Sequence, residues 1–386
     1  MKISQKADCI EPSLTRDLFN RALKFDDVIN LTLGDPDLPP PQNIRDAACA
    51  AIRAGKTRYS ENAGLMDERV AIAAAFTKEY GLPCDPATEI ITTVGGMEAL
   101  YLALSTIVDP GDEVIIFAPY YVNYVQMVRM NGGVPVIIDT KEENGFAVDP
   151  AVLCKHITDK TVAIIVNTPC NPTGVTLPKS VLEVIADTAK EHDLIVIADE
   201  VYKSLVYDGA THHSVLTVPG MRERTILIDS LSKKFAMTGW RLGWAIGPRR
   251  VVAAMTKMQE NVAACAPLPS QYAAIEALSD NTDIAYIRET FEARRDLIYT
   301  EVNKCEKLSA LKPAATFYIF VNIEKTGLRS IDFAIRLLES EHVAVVPGVA
   351  YGKAYDNFIR IAFTHDLPIL QDACVRIKRF VEGGCR

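Results

Sequence analysis

The chain has 386 residues, 49% hydrophobic and 23% charged, which is ordinary globular usage and length enough for two or three compact units. Its 41 basic and 49 acidic side chains leave a formal charge of −8 and a pI near 5.4, with no long Lys/Arg block. That balance gives no electrostatic reason to expect nucleic acid or an anionic membrane as partner. No run approaches the roughly 18 apolar residues that a membrane span needs, and the opening MKISQKADCIEPS lacks an apolar stretch of signal-peptide length. The nine cysteines are scattered without C-x-x-C spacing, the pattern of reduced thiols rather than of disulfides or a zinc site. A soluble cytoplasmic protein without a metal is expected.

In chain order, residues 1–45 offer one helix, over 13–25, and a proline-rich connection, LGDPDLPPP. This is too little to fold alone and is expected to pack with the C-terminal part. Residues 46–285 read as a large domain. Within it, continuous apolar runs at Glu113–Ala118, Val134–Asp139, Thr161–Asn167, Leu194–Asp199, Thr225–Asp229 and Leu242–Gly247 look like strands buried on both faces. Helix-period stretches such as Lys179–His192 lie between them, so an α/β fold with a mostly parallel sheet between helices is expected. Ligands of such sheets bind at the carboxyl ends of strands. That singles out Asn167, Asp199 and Asp229. Residues 286–386 change texture. A charged helix over 285–307, the segment KPAATFYIFVNI, a helix at Ser330–Glu341, short strands at Val343–Val346 and Phe358–Phe363, and a last helix read as a smaller α+β domain.

Several segments point to chemistry. Ser230-Leu-Ser-Lys-Lys-Phe-Ala-Met-Thr-Gly-Trp-Arg-Leu-Gly-Trp244 follows a buried strand directly. A partly desolvated Lys233 there loses its proton readily and becomes a nucleophile for a carbonyl. Nearby hydroxyls and Arg241 suit a phosphate, while Gly239 and Gly243 permit a tight turn or close backbone approach. Thr92-Thr-Val-Gly-Gly-Met97 opens a helix with two glycines, whose exposed N–H groups make an anion site. Asn167-Thr-Pro-Cys-Asn-Pro-Thr-Gly174 is a tight loop after a strand, and Ile197-Ala-Asp-Glu-Val-Tyr202 ends another. Tyr120 and Tyr124, after the run ending at Ala118, read as core tyrosines. Arg360 sits in the apolar strand Phe358–Phe363 and needs a partner: either a ligand carboxylate or an internal acid.

Together these segments, in order from Leu33 to Phe363, resemble the class I and II aminotransferases, the fold-type I enzymes that use pyridoxal 5'-phosphate (PLP). The resemblance implies that Lys233 holds PLP. It further implies that Ser230, Arg241, Gly95, Gly96 and Met97 bind its phosphate, with Asp199 on the ring nitrogen, Tyr202 on the phenolic oxygen and Tyr121 stacked on the ring. Asn171 would touch the phenolic oxygen and the substrate carboxylate, Arg360 would clamp that carboxylate, and the backbone of Gly34 would meet substrate. Tyr59, in Thr57-Arg-Tyr-Ser-Glu-Asn-Ala-Gly64, would reach the phosphate of another subunit's cofactor, so a homodimer with shared active sites is implied. The implied activity is ping-pong transfer of an amino group from an L-amino acid to a 2-oxo acid.

Some features depart from the family. Pro313-Ala-Ala-Thr-Phe317 lacks a usual glycine, and Met97 stands where some dicarboxylate-specific relatives have lysine. Cys170 and Lys234 receive no role. Contacts to the substrate's side chain are expected partly from the N-terminal segment and the partner subunit. Two other readings stay open: a C–S β-lyase or other Cα-carbanion enzyme on the same fold, and a non-enzymatic PLP-binding regulator. The regulator would need a DNA-binding module, for which the stretch before Leu33 is too short.

Overall fold

A computed structural model describes residues 2–385. Its centre is a seven-stranded sheet in the order Ile90–Thr93, Gly243–Ile246, Thr225–Ser230, Ile195–Asp199, Thr161–Asn167, Glu113–Ala118, Val134–Asp139. The last five strands of that order run parallel, and Gly243–Ile246 is antiparallel to both of its neighbours. Apolar side chains alternate between the two faces. Ile164, Val166, Val196 and Leu227 join helices Lys179–Glu191 and Leu268–Ala277 on one side; Ile165, Ile197, Ile226 and Ile228 join Gly96–Ile107 and Arg249–Val262 on the other. Burial on both faces explains why these strands are uninterrupted Val/Ile/Leu runs. Strand Ile90–Thr93 was not anticipated, because two of its four residues are threonine and it runs at once into the glycine turn.

Residues near both termini form a second layered unit. Strands Val346–Pro347, Phe358–Ala362, Tyr318–Asn322 and Ser309–Ala310 make an antiparallel sheet. The strand expected over Val343–Val346 is divided. Val343 and Ala344 pair in parallel with Ile29 and Asn30, whereas Val346 pairs with Arg360. Leu18 and Ala22 of helix Leu14–Ala22 lie in one apolar cluster with Phe333, Leu337 and Ile361. The N-terminal segment therefore packs with the small sheet's unit. Among the described residues, no helix is long and apolar enough to cross a membrane.

Candidate active site

A cavity of about 520 Å³ lies at the carboxyl ends of the central strands, with the small sheet and the N-terminal segment also contributing to its lining. In-register pairing sets Asn167 beside Asp199, and the next strand delivers Ser230 and, through the short helix Leu231–Lys234, Lys233. Gly34, Gly96, Met97, Tyr121, Asn171, Asp199, Tyr202, Ser230, Lys233, Arg241 and Arg360 all line this one cavity.

Lys233 Nζ donates to the carbonyl of Gly34 at 2.7 Å and lies over the rings of Phe317 and Tyr202. Burial lowers its pKa to about 8, helped by Arg360 and Arg241 and opposed by Asp35. A neutral amine is therefore accessible near physiological pH, as nucleophilic and base chemistry require. Asp199, 7% exposed, accepts a 2.5 Å hydrogen bond from Tyr124 Oη, and burial raises its pKa to about 6. Asn167 braces both neighbours: its Nδ2 donates to the Asp199 carbonyl and its Oδ1 accepts from the Asn171 N–H. Tyr202 Oη donates to Tyr318 Oη at 3.2 Å.

Arg360 is 4% exposed and has no carboxylate within 4.0 Å among the described residues. Its Nη1 donates to Asn171 Oδ1 at 3.1 Å, its Nη2 donates to the Thr32 carbonyl, and its Nε has no partner. The guanidinium lies 4.2 Å from the Tyr318 ring centroid and 5.2 Å from that of Tyr351. The internal salt bridge, one of the two alternatives for this residue, is absent. Leaving a buried charge unpaired costs several kcal/mol, and arginine cannot escape by deprotonation.

On the opposite wall, Gly95 has φ +78° and precedes helix Gly96–Ile107. A Cβ on Gly95 would stand 2.6 Å from Arg241 Nη2, and one on Gly243 would stand 2.5 Å from the Gly96 nitrogen. Glycine is required at Gly95 by its left-handed φ and at Gly243 by the closeness of the Gly95–Gly96 backbone. Gly239 has open space around it and plays no such part.

Other expectations need correction. Gly95 itself is not on the cavity surface, although Gly96 and Met97, which follow it, are. Asp229 points away from the cavity, where it pairs with Lys203 at 3.0 Å, because the two-residue period of a strand sends its side chain opposite to those of Ile228 and Ser230. Tyr59 is off the lining of this chain's own cavity and 86% exposed, which leaves its expected role toward a second copy's cofactor unaltered. Tyr124, read as a core tyrosine, is buried but reaches Asp199 with its hydroxyl. Tyr318, given no role from sequence, touches Arg360 and Tyr202. The local signal for both was only an aromatic inside an apolar run, which is also what a core residue looks like.

Residues 26–377 match the family model described as aminotransferase class I and II. The chain belongs to the class I and II aminotransferases. It is 42% identical to an aspartate aminotransferase of Pyrococcus abyssi, over 98% of each chain. It is 40% identical to aromatic-amino-acid aminotransferase 2 of Thermococcus litoralis, over 99% of each. Among solved structures, Thermus thermophilus aspartate aminotransferase with maleate superposes with a TM-score of 0.94 at 37% identity, covering 98% of this chain and 99% of that one. This aminotransferase is accordingly PLP-dependent, with amino acids and 2-oxo acids as its substrate classes. The residues present fit the cofactor's chemistry: a depressed lysine, a buried acid, and an arginine with a serine beside a helix-opening glycine turn face one volume.

Proposed function

We propose that Lys233 carries PLP and that the cavity moves an amino group from an L-amino acid to a 2-oxo acid by a ping-pong sequence. When bound, the cofactor supplies the electron sink for the pair left by a broken Cα–H bond. Arg360, with Asn171, binds the substrate α-carboxylate through a planar, paired donor set. The Lys233 amine would serve as the general base that takes the Cα proton and as the general acid that returns a proton. Asp199 is ionised above about pH 6 and holds a proton on the ring nitrogen. Tyr202 would contact the cofactor through its hydroxyl and Tyr121 through its aromatic face. Ser230, Arg241 and the N–H groups of Gly96 and Met97 hold the phosphate, and the Gly34 backbone borders the substrate. The exposed Tyr59 fits a role in a second copy's phosphate site, which makes the working form a homodimer with shared sites.

The observation that carries this reading is the buried Arg360 without an acidic partner, facing the same cavity as the depressed Lys233. The test is an absorbance scan of the PLP-loaded protein with single amino acids added and no acceptor. A near-visible band that collapses with stoichiometric release of 2-oxo acid supports amino transfer. A band that persists while pyruvate and ammonia accumulate from an S-substituted cysteine replaces it with β-elimination. No band after PLP addition overturns the proposal.

A further inference from the structure

Four cations line the cavity: Lys233, Arg241, Arg360 and Arg16. The proposed chemistry employs the first three. Arg16 comes from helix Leu14–Ala22, at the mouth of the cavity, with Ser13 and Thr15 beside it on the lining. It is exposed, and its guanidinium lies 5.3 Å from the Phe19 ring centroid. Among the described residues no carboxylate lies within 4.0 Å of it, and the acids nearest in sequence are engaged elsewhere. Asp17 pairs with Arg21 at 2.9 Å, and Glu11 with Arg129 at 3.0 Å. Met97 and Asn123, also on the lining, are uncharged; Asn123 Nδ2 donates to Tyr121 Oη at 2.9 Å, and Tyr121 Oη donates to Met97 Sδ at 3.4 Å.

We infer that Arg16 reads a carboxylate at the far end of the substrate side chain, so that the site takes dicarboxylic amino acids and 2-oxo acids. The inference rests on the amino-transfer reading of the cavity and adds its substrate class. With Arg360 holding the α-carboxylate deep inside and Arg16 at the mouth, a substrate with an anion at each end meets a cation at each end. A guanidinium can grip the outer carboxylate with two parallel hydrogen bonds. The cation at the rim is supplied by the N-terminal helix, while the position after the paired glycines, Met97, supplies none.

The test uses the PLP-loaded full chain as wild type, Arg16→Met and Arg16→Lys. Succinate and 3-phenylpropionate, which share one carboxylate but differ at the far end, are titrated by calorimetry. The kcat/KM ratio of aspartate to phenylalanine is measured in parallel. Arg16→Met is expected to lower succinate affinity relative to 3-phenylpropionate about tenfold, and the kinetic ratio by a similar factor through KM. Arg16→Lys is expected to restore part of both. Equal weakening of both ligands, or an unchanged ratio, overturns the inference. Failure of the wild type to convert any amino acid overturns the proposed function itself, whereas normal conversion with a ratio indifferent to Arg16 overturns only the substrate class.

Discussion

Two buried charged clusters flank the carboxyl ends of the same two strands, and they are built on opposite rules. Behind the sheet, Lys203 Nζ lies 3.0 Å from both Glu79 and Asp229 and donates to Tyr80 Oη at 2.7 Å. Glu200, fully buried, accepts from Tyr80 at 2.8 Å, is bonded to His212 Nε2 at 2.6 Å, and accepts from Ser214. Each acid and cation there has an opposite charge or a hydroxyl donor. In front, Lys233 and Arg360 have only carbonyl, amide and aromatic partners. The rear cluster is complete within the chain. The front one becomes complete only when ligands bring the anions, which separates a structural polar network from a binding site by its stoichiometry of charge.

Substitutions can break this comparison, and the largest effect belongs to Lys233→Ala. Turnover should fall to background and the near-visible absorbance should vanish, while urea unfolding shows no loss of stability, since a buried ammonium is removed. Lys203→Met should do the reverse. It strands Asp229 and Glu79, costing about 3–5 kcal/mol in the same unfolding experiment. Arg360→Met should cost about 3 kcal/mol of transition-state binding, roughly a hundred- to thousandfold in kcat/KM, without destabilising the fold.

Glu68 sharpens the rule, because it is a buried charge site that can neutralise itself. It is fully buried, its Oε1 has no partner, and Thr92 Oγ1 donates to its Oε2 at 3.1 Å. Burial raises its pKa from 4.5 to about 8, against the opposing pull of Thr92 and Arg69. Between those two values the folded state holds a proton that the unfolded chain has lost. Its contribution to stability is therefore full below pH 4.5 and declines as pH rises toward 8. Glu68→Gln should flatten that decline and raise stability at pH 8 by about 1–3 kcal/mol, read from unfolding curves across the window. Arg360 has no such escape, so its unpaired state points to a ligand.

The sequence made legible whatever depended on continuous runs and on residues adjoining them. The buried strands announced themselves as Val/Ile/Leu stretches, and the polar residues ending them, Asn167 and Asp199, lie in the cavity. Asp229 looked equivalent but faces the other way, because a strand end alone does not say which residue of the alternating pair points at the ligand. Arg360 was visible as a charge inside an apolar strand; that it lacks an acid could be learned only from what folds around it. Tyr124, Tyr318 and Arg16 were hidden for a different reason. Each comes to the site through tertiary packing from an element whose local pattern is that of an ordinary core or surface segment.

The most direct measurement is borohydride reduction of the PLP-loaded protein followed by peptide mass mapping. Fixation of the cofactor on Lys233 alone, with Lys203 and Lys234 unmodified, is the result expected if the lysine without an acidic partner is the one that reacts. Label on Lys203, the fully paired lysine, or no covalent label at all, would contradict the account.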